Sequence, residues 1–188
     1  MNKAAALVLF GLLRGTGLAA DAGPAAVIDV RETGGVYSVH ARFSVPQPAA
    51  AVRAVLTDYE HIPRFMPDMK KSIVHERRGD SALVEQEAVS KMVVFSKKVP
   101  LLLDITEVPG QIRFRDRCGK SFEQYEGVWT FTEQNGVTGI TYELTARPAF
   151  DVPEFILKRL LKRDAGVMID RLLDEIVRRA GGSIAIPR

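Results

Sequence analysis

Between Lys70 and Arg147 the chain writes one strand-like run after another and leaves no room for a helix between them. The runs are Lys71–Arg77, Ala82–Phe95, Lys98–Val108, Gln111–Arg117, Ser121–Thr132 and Val137–Arg147. Gly79-Asp80, Pro109-Gly110, Cys118-Gly119 and Asn135-Gly136 punctuate them at hairpin positions. Parallel pairing needs a long crossover between strands, whereas antiparallel pairing needs only a tight turn. The sheet is therefore antiparallel and built from consecutive hairpins. Ahead of it, Val36–Val45 alternates strictly, with Tyr37, Val39, Ala41, Phe43 and Val45 on one face and Ser38, His40, Arg42 and Ser44 on the other. That period of two marks a half-buried strand, and Pro46 and Pro48 end it. The count comes to about seven strands.

Two short helices follow the first strand. Pro48 suits a first turn, and Val52, Val55, Leu56 and Tyr59 make one stripe over Ala49–Tyr59. A second helical turn spans Glu60–Phe65 between Pro63 and Pro67. At the other end, Pro153 opens a long helix that runs to Gly181-Gly182. Leu157, Leu161, Ala165, Met168, Ile169, Leu172, Leu173 and Ile176 recur on it at three- and four-residue spacing, while Arg159, Arg163, Asp170, Asp174 and Arg178 fall elsewhere. Such a helix lays its apolar face on a sheet. The predicted class is α+β: a curved antiparallel sheet, two short helices, and one long terminal helix able to close over it.

The chain has 188 residues, 46% hydrophobic and 26% charged, enough to bury the core of one domain. Residues 1–22 have a different character. Lys3 precedes an apolar run from Ala4 to Leu13, and small residues around Ala20 follow. That is the layout of a secretory signal peptide, shorter than a membrane-spanning helix requires. The expected organisation is a signal peptide at 1–22, a linker and N-terminal strand region at 23–35, the domain at 36–180 and a tail at 181–188. The mature protein would be exported, to a periplasm or beyond. The first twenty residues hold Lys3 and Arg14 and no acid, so their loss lowers the formal net charge from +3 to +1. A balance that close to zero argues against nucleic acid as a partner.

Several chemistries lack their residues. Cys118 stands alone, so no internal disulfide and no multi-cysteine metal site can form. No G-x-S-x-G elbow occurs, and Cys118 sits at a turn with no histidine nearby in sequence. His40, His61 and His75 fall on separate elements without ligand spacing, so no metal is expected. Gly15-Thr16-Gly17 lies in the leader with no strand before it, and no cofactor loop is expected.

Strand parity offers a different kind of site. Tyr125, Gly127, Trp129 and Phe131 share one face, as do Ile140, Tyr142, Leu144 and Ala146, and as do Val84, Gln86, Ala88, Ser90, Met92 and Val94. If these faces point inward, an apolar lining contains Gln86, Tyr125 and Tyr142, each needing a hydrogen-bond partner. A ligand oxygen, a water or a neighbouring side chain could provide it. No clear inward acid is expected on these strands. Two cationic clusters, Lys97-Lys98 and Lys158-Arg159 with Lys162-Arg163, suit transient contact with an anionic membrane surface; a solvated helix face is the alternative.

Several strings resemble the START/polyketide-cyclase superfamily, especially its coenzyme Q-binding and cyclase/dehydrase branch. They are Val52-Arg-Ala-Val-Leu-Thr-Asp-Tyr-Glu-His-Ile-Pro-Arg-Phe-Met-Pro67, Val84-Glu-Gln-Glu87, Glu126-Gly-Val-Trp-Thr-Phe131 and Thr141-Tyr-Glu-Leu144, with the closing helix. The resemblance spans Val36 to Arg179. It implies a helix-grip fold with a cavity between sheet and terminal helix that holds a lipid-like small molecule: a quinone, an isoprenoid or another lipid. The residues it would place around that guest are Gln86, Met92, Leu101, Leu103, Phe114, Tyr125, Trp129, Phe131, Tyr142, Leu157, Leu161 and Met168. No catalytic residue is assigned. The alternative is a cyclase or dehydrase using the same cavity, whose mark would be a buried acid with a raised pKa facing the ligand.

Overall fold

The computed structural model describes residues 26–91, 96–151 and 153–181. The leader, the tail after Gly181 and Met92 lie outside them. The described strands are β1 (Val27–Thr33), β2 (Val36–Val45), β3 (Met69–Arg78), β4 (Ser81–Lys91), β5 (Ser96–Val108), β6 (Gln111–Asp116), β7 (Phe122–Gln134) and β8 (Val137–Pro148). They form one sheet in the order β1-β2-β8-β7-β6-β5-β4-β3, every neighbouring pair antiparallel. From β3 to β8 sequence neighbours are sheet neighbours, as the close spacing of the runs requires. Helix α1 (Ala49–Leu56), a 3-10 turn at Tyr59–His61 and helix α2 (Ile62–Phe65) carry the chain from β2 to the far edge at β3. Helix α3 (Glu154–Arg179) closes over the sheet.

The sheet has eight strands rather than about seven. The additional one, β1, pairs with β2 from Val27↔Arg42 to Thr33↔Val36. Its alternation is weak because it is an edge strand whose inner face offers only Ile28, Val30 and Glu32 to α3. The first helix also stops at Leu56 rather than reaching Tyr59. There the chain tightens into the 3-10 turn, and the Tyr59 hydroxyl donates to Glu107 Oε1 at 2.9 Å.

Glu107 is only 4% exposed and is an inward acid on β5, outside the three strands whose inward faces were assigned from parity. Arg53 Nη2 donates to its Oε2 at 3.1 Å and Arg77 Nη1 to its Oε1 at 3.0 Å. A buried carboxylate is tolerable when charged donors surround it, and this one joins α1, the 3-10 turn, β3 and β5. Burial and the nearby Glu107 carboxylate drive the Tyr59 phenol far above its ordinary pKa, so it stays a donor.

The two halves of α3 pack differently. Toward its C-terminus Ile169 (0% exposed), Leu172 (2%) and Ile176 (0%) join Val52 and Val55 of α1 in the core. Each such side chain contributes about 1.5–3 kcal/mol by leaving water. Toward its N-terminus, Ile156, Leu160 and Leu161 are only half-buried and Phe155 is 74% exposed. Here the helix stands off the sheet.

Candidate functional site

That separation leaves a cavity of about 370 Å³ between α3, α2 and the concave face of β3 to β8. Leu157, Leu161, Ala165 and Met168 come from α3, and Leu101, Leu103 and Ile105 from β5. Ile112 and Phe114 come from β6, Tyr125 and Trp129 from β7, and Tyr142 and Leu144 from β8. Ile62, Phe65 and Met66 close it from the α2 side. The apolar character follows from parity: each strand turns alternate residues inward, and these are the apolar ones.

Of the twelve residues proposed from sequence, ten line this cavity: Gln86, Leu101, Leu103, Phe114, Tyr125, Trp129, Tyr142, Leu157, Leu161 and Met168. Met92 lies outside the described residues. Phe131 corrects the expectation. It is inward and 5% exposed, but it belongs to the packed core at the end of β7 that α1 covers, and it does not reach the void.

A β-bulge between Phe122 and Gln124 re-aims the start of β7. Phe122 and Tyr125 are an odd number of residues apart and would face opposite sides of a regular strand. Here both line the cavity, with rings 4.8 Å apart. Phe114 lies 5.8 Å from Tyr125 and 6.3 Å from Tyr142, and Trp129 lies 4.3 Å from Tyr142. Gly127 makes this aromatic wall possible. A Cβ there would overlap both the Glu143 carbonyl oxygen and the Phe114 ring.

Polar groups are few. Gln86 Nε2 donates to Ser72 Oγ at 3.3 Å, so the protein itself satisfies part of this buried amide. Tyr125 and Tyr142 lie side by side with their hydroxyls interacting. Burial pushes the Tyr125 phenol up to about 12 and lifts Tyr142 further, so both keep their protons.

Two lining acids escaped the sequence reading because neither sits on a strand: Asp68, between α2 and β3, and Asp164 on α3. Burial raises the Asp164 pKa, with a further contribution from Asp68, although Arg163 donates to its Oδ1 at 2.7 and 2.9 Å. Ser90 reaches its Oδ2 at 3.5 Å. Helical periodicity puts Asp164 between Leu161 and Met168, which was the available signal. Lys97 lines the same region, its Nζ 3.0 Å from the centre of the Phe150 ring.

A second hollow of about 420 Å³ lies outside, between the 3-10 turn, α2 and the end of α3. Most of its charged side chains pair with one another: Arg179 reaches Asp58 at 2.8 Å and Glu175 at 2.6 Å, and His61 meets Asp58 at 2.6 Å. It fastens α3 to the connector over the cavity. Arg178 and Arg179 hold the Glu175 carboxyl at about 2. Among the described residues no group of three or more His, Cys, Asp or Glu side chains could hold a metal ion. No helix of the described residues is long and apolar enough to cross a membrane.

An antiparallel sheet gripping a long terminal helix around an apolar void defines the helix-grip class of proteins. A family model described as polyketide cyclase / dehydrase and lipid transport matches residues 45–173. The chain belongs to that family. Among solved structures it is similar to the Zhui aromatase/cyclase from Streptomyces sp. R1128, at 16% identity and TM-score 0.67 over 79% of this chain and 99% of that one. A START superfamily protein from Mycobacterium smegmatis aligns at 17% identity and TM-score 0.64 over 76% and 98%. Human STARD10 aligns at 10% identity and TM-score 0.63 over 82% and 74%. At these identities the likeness concerns the fold. No curated protein matches the sequence.

Proposed function

We propose that this protein binds a hydrophobic, lipid-like small molecule in the cavity under α3 and carries it without chemical change. The observation that supports this most is the apolar space of about 370 Å³ that α3 borders from Leu157 to Leu172, while Ile169 and Ile176 on the same helix are fully buried in the core. Sites for small apolar guests have this form, a mostly apolar lining with a few placed polar groups. Apolar ligand area leaving water gains about 25 cal/mol per Å², less the cost of association. A quinone or isoprenoid suits the aromatic wall. Native mass spectrometry of protein purified from its own host, followed by solvent extraction, tests the reading: a stoichiometric lipophilic guest is expected. Protein that arrives empty and binds no lipophilic probe refutes it.

A second reading has its own support. Asp164 is a partly exposed acid with a raised pKa on the cavity wall, and the paired phenols are proton donors, which is the equipment of a cyclase or dehydrase. Conversion of an extracted guest or a poly-ketone probe, abolished by Asp164→Asn, would establish it; unchanged probe after prolonged incubation would dismiss it.

Export rests on the leader, and intact-mass measurement of protein from the extracytoplasmic fraction tests it, since cleavage must remove Lys3. Membrane contact rests on charge. Lys158 is paired with Glu154 and Lys98 with Glu87, which leaves Arg159 and Lys162 exposed beside Phe155. Salt-sensitive binding to anionic liposomes is expected; binding that ignores lipid charge removes the idea.

A further inference from the structure

The sheet is open, and its two edges are finished differently. At one end β3 carries two register irregularities, between Met69 and Lys71 and between Val74 and Glu76, and it lies against the 3-10 turn and α2. Bulges and coverings of this kind blunt an edge against foreign strands. At the other end β1 has neither. It pairs with β2 without a break from Val27 to Thr33 and holds no proline, glycine or lysine. Helix α3 packs on its inner face, and among the described residues no strand lies along its outer edge. Glu32 is occupied within its own hairpin, where its Oε1 accepts the Gly35 N–H at 2.7 Å. A regular edge presents a row of backbone donors and acceptors to one more strand.

The side chains of β1 suit one strand in particular, its own copy. Val27, Asp29, Arg31 and Thr33 are exposed on its outer face. A second copy can pair with it antiparallel about a two-fold axis. Directly opposed residues share a face, so the axis must pass through one residue facing itself. Centred on Asp29 or on Arg31, the pairing would set like charges against each other, which is destabilising. Centred on Val30, it sets Asp29 opposite Arg31 of the second copy and Arg31 opposite its Asp29, with Val27 opposite Thr33. Within one strand these charges already touch, Arg31 Nε lying 2.7 Å from Asp29 Oδ2, with the side chains 82% and 53% exposed. An exposed pair alone is worth little. Pairing about Val30 keeps that contact and closes two such pairs into a square of alternating charge.

We infer that β1 is a docking edge for a second copy of this chain, joined antiparallel about Val30 into one continuous sheet. The axis stands perpendicular to the sheet, so both concave faces and both α3 helices lie on the same side of the assembly. A single strand pair of this length falls below the ~1,200 Å² of a stable interface, so the dimer is weak and reversible. The inference is independent of what the cavity holds.

The test is sedimentation equilibrium of the full chain as its host matures it, from micromolar to near-millimolar concentration at low salt and neutral pH. The unaltered protein is expected to pass reversibly from monomer to dimer. Asp29→Arg and Arg31→Asp each put like charges across the axis twice and should weaken the dimer about tenfold or more. Mixed in equal amounts, the two variants should dimerise again, because every arginine then faces an aspartate. The double variant Asp29→Arg/Arg31→Asp should dimerise by itself. Urea midpoints report that the fold survives, since exposed sites change stability little. A second measurement needs no change of charge. Val27→Cys and Thr33→Cys in one chain lie at opposite ends of β1 and cannot meet, so oxidation should join residue 27 of one copy to residue 33 of the other. A chain that stays monomeric at every concentration overturns the inference, whether its edge is left free or taken by another protein. A dimer that neither charge reversal weakens has its interface elsewhere and overturns it too. Variants that fail to recover on mixing, or a peptide map without the 27–33 link, overturn the pairing about Val30.

Discussion

Neighbouring residues on α3 offer the sharpest test of the stand-off. Ile169 is 0% exposed, belongs to the core and does not line the void; Met168, one position earlier, is half-buried and does. Truncating a buried isoleucine to alanine costs about 2–5 kcal/mol, because transfer free energy is lost and a new hole is left among close-packed neighbours. Met168 has atoms on one side only, so its removal enlarges a hole already present and forfeits fewer contacts. We therefore expect Ile169→Ala to destabilise the empty protein by about 3–4 kcal/mol and Met168→Ala by about 1 kcal/mol. In urea, with a slope of about 2 kcal/mol per M, those values are midpoint shifts of roughly 1.5–2 M and 0.5 M. Guest-free protein must be used, since a bound lipid would restore contacts to Met168 and add its own stabilisation. Affinity should show the reverse pattern, with Met168→Ala changing probe binding and Ile169→Ala sparing it at temperatures where it stays folded. Equal costs for the two truncations would mean that Met168 is packed as closely as Ile169, and the void beside it would be refuted.

Three further outcomes can be checked independently. Glu107→Gln leaves Arg53 and Arg77, both partly exposed, without their counter-charge and should destabilise the fold by about 1–2 kcal/mol in the same denaturation assay; a change within error would mean the cluster is ornamental. Glu175 has a folded pKa depressed to about 2 by Arg178 and Arg179. Its contribution is therefore complete above the ordinary glutamate range and is lost as pH falls toward 2, so Glu175→Gln should flatten the acid limb of stability against pH. Gly127→Ala should displace Phe114 and shift the near-ultraviolet dichroism and probe affinity together; unchanged spectra and binding would show that the aromatic wall does not depend on that missing side chain.

The sequence by itself determined the architecture. Runs too close for crossovers force hairpins, and period two against period three-and-a-half separates sheet from helix, so the α+β order was readable from spacing, while the twelve proposed lining residues, ten of which border the cavity, came from strand parity together with the family resemblance. Glu107 was readable as well, since it shares the inward parity of Leu101, Leu103 and Ile105 on β5, although no periodicity shows that two arginines and a tyrosine converge on it. The rest required the tertiary structure. A bulge reverses parity, so Phe122 reaches the wall against the alternation. Phe131 has the inward parity of Trp129, yet it becomes core because α1 happens to cover that end of β7. Whether α3 touches the sheet or stands off from it depends on a rigid-body distance between elements, and an amphipathic stripe reads the same either way. That distance creates the void, and with it the meeting of Asp68, Asp164, Tyr125 and Tyr142 across residues far apart in the chain.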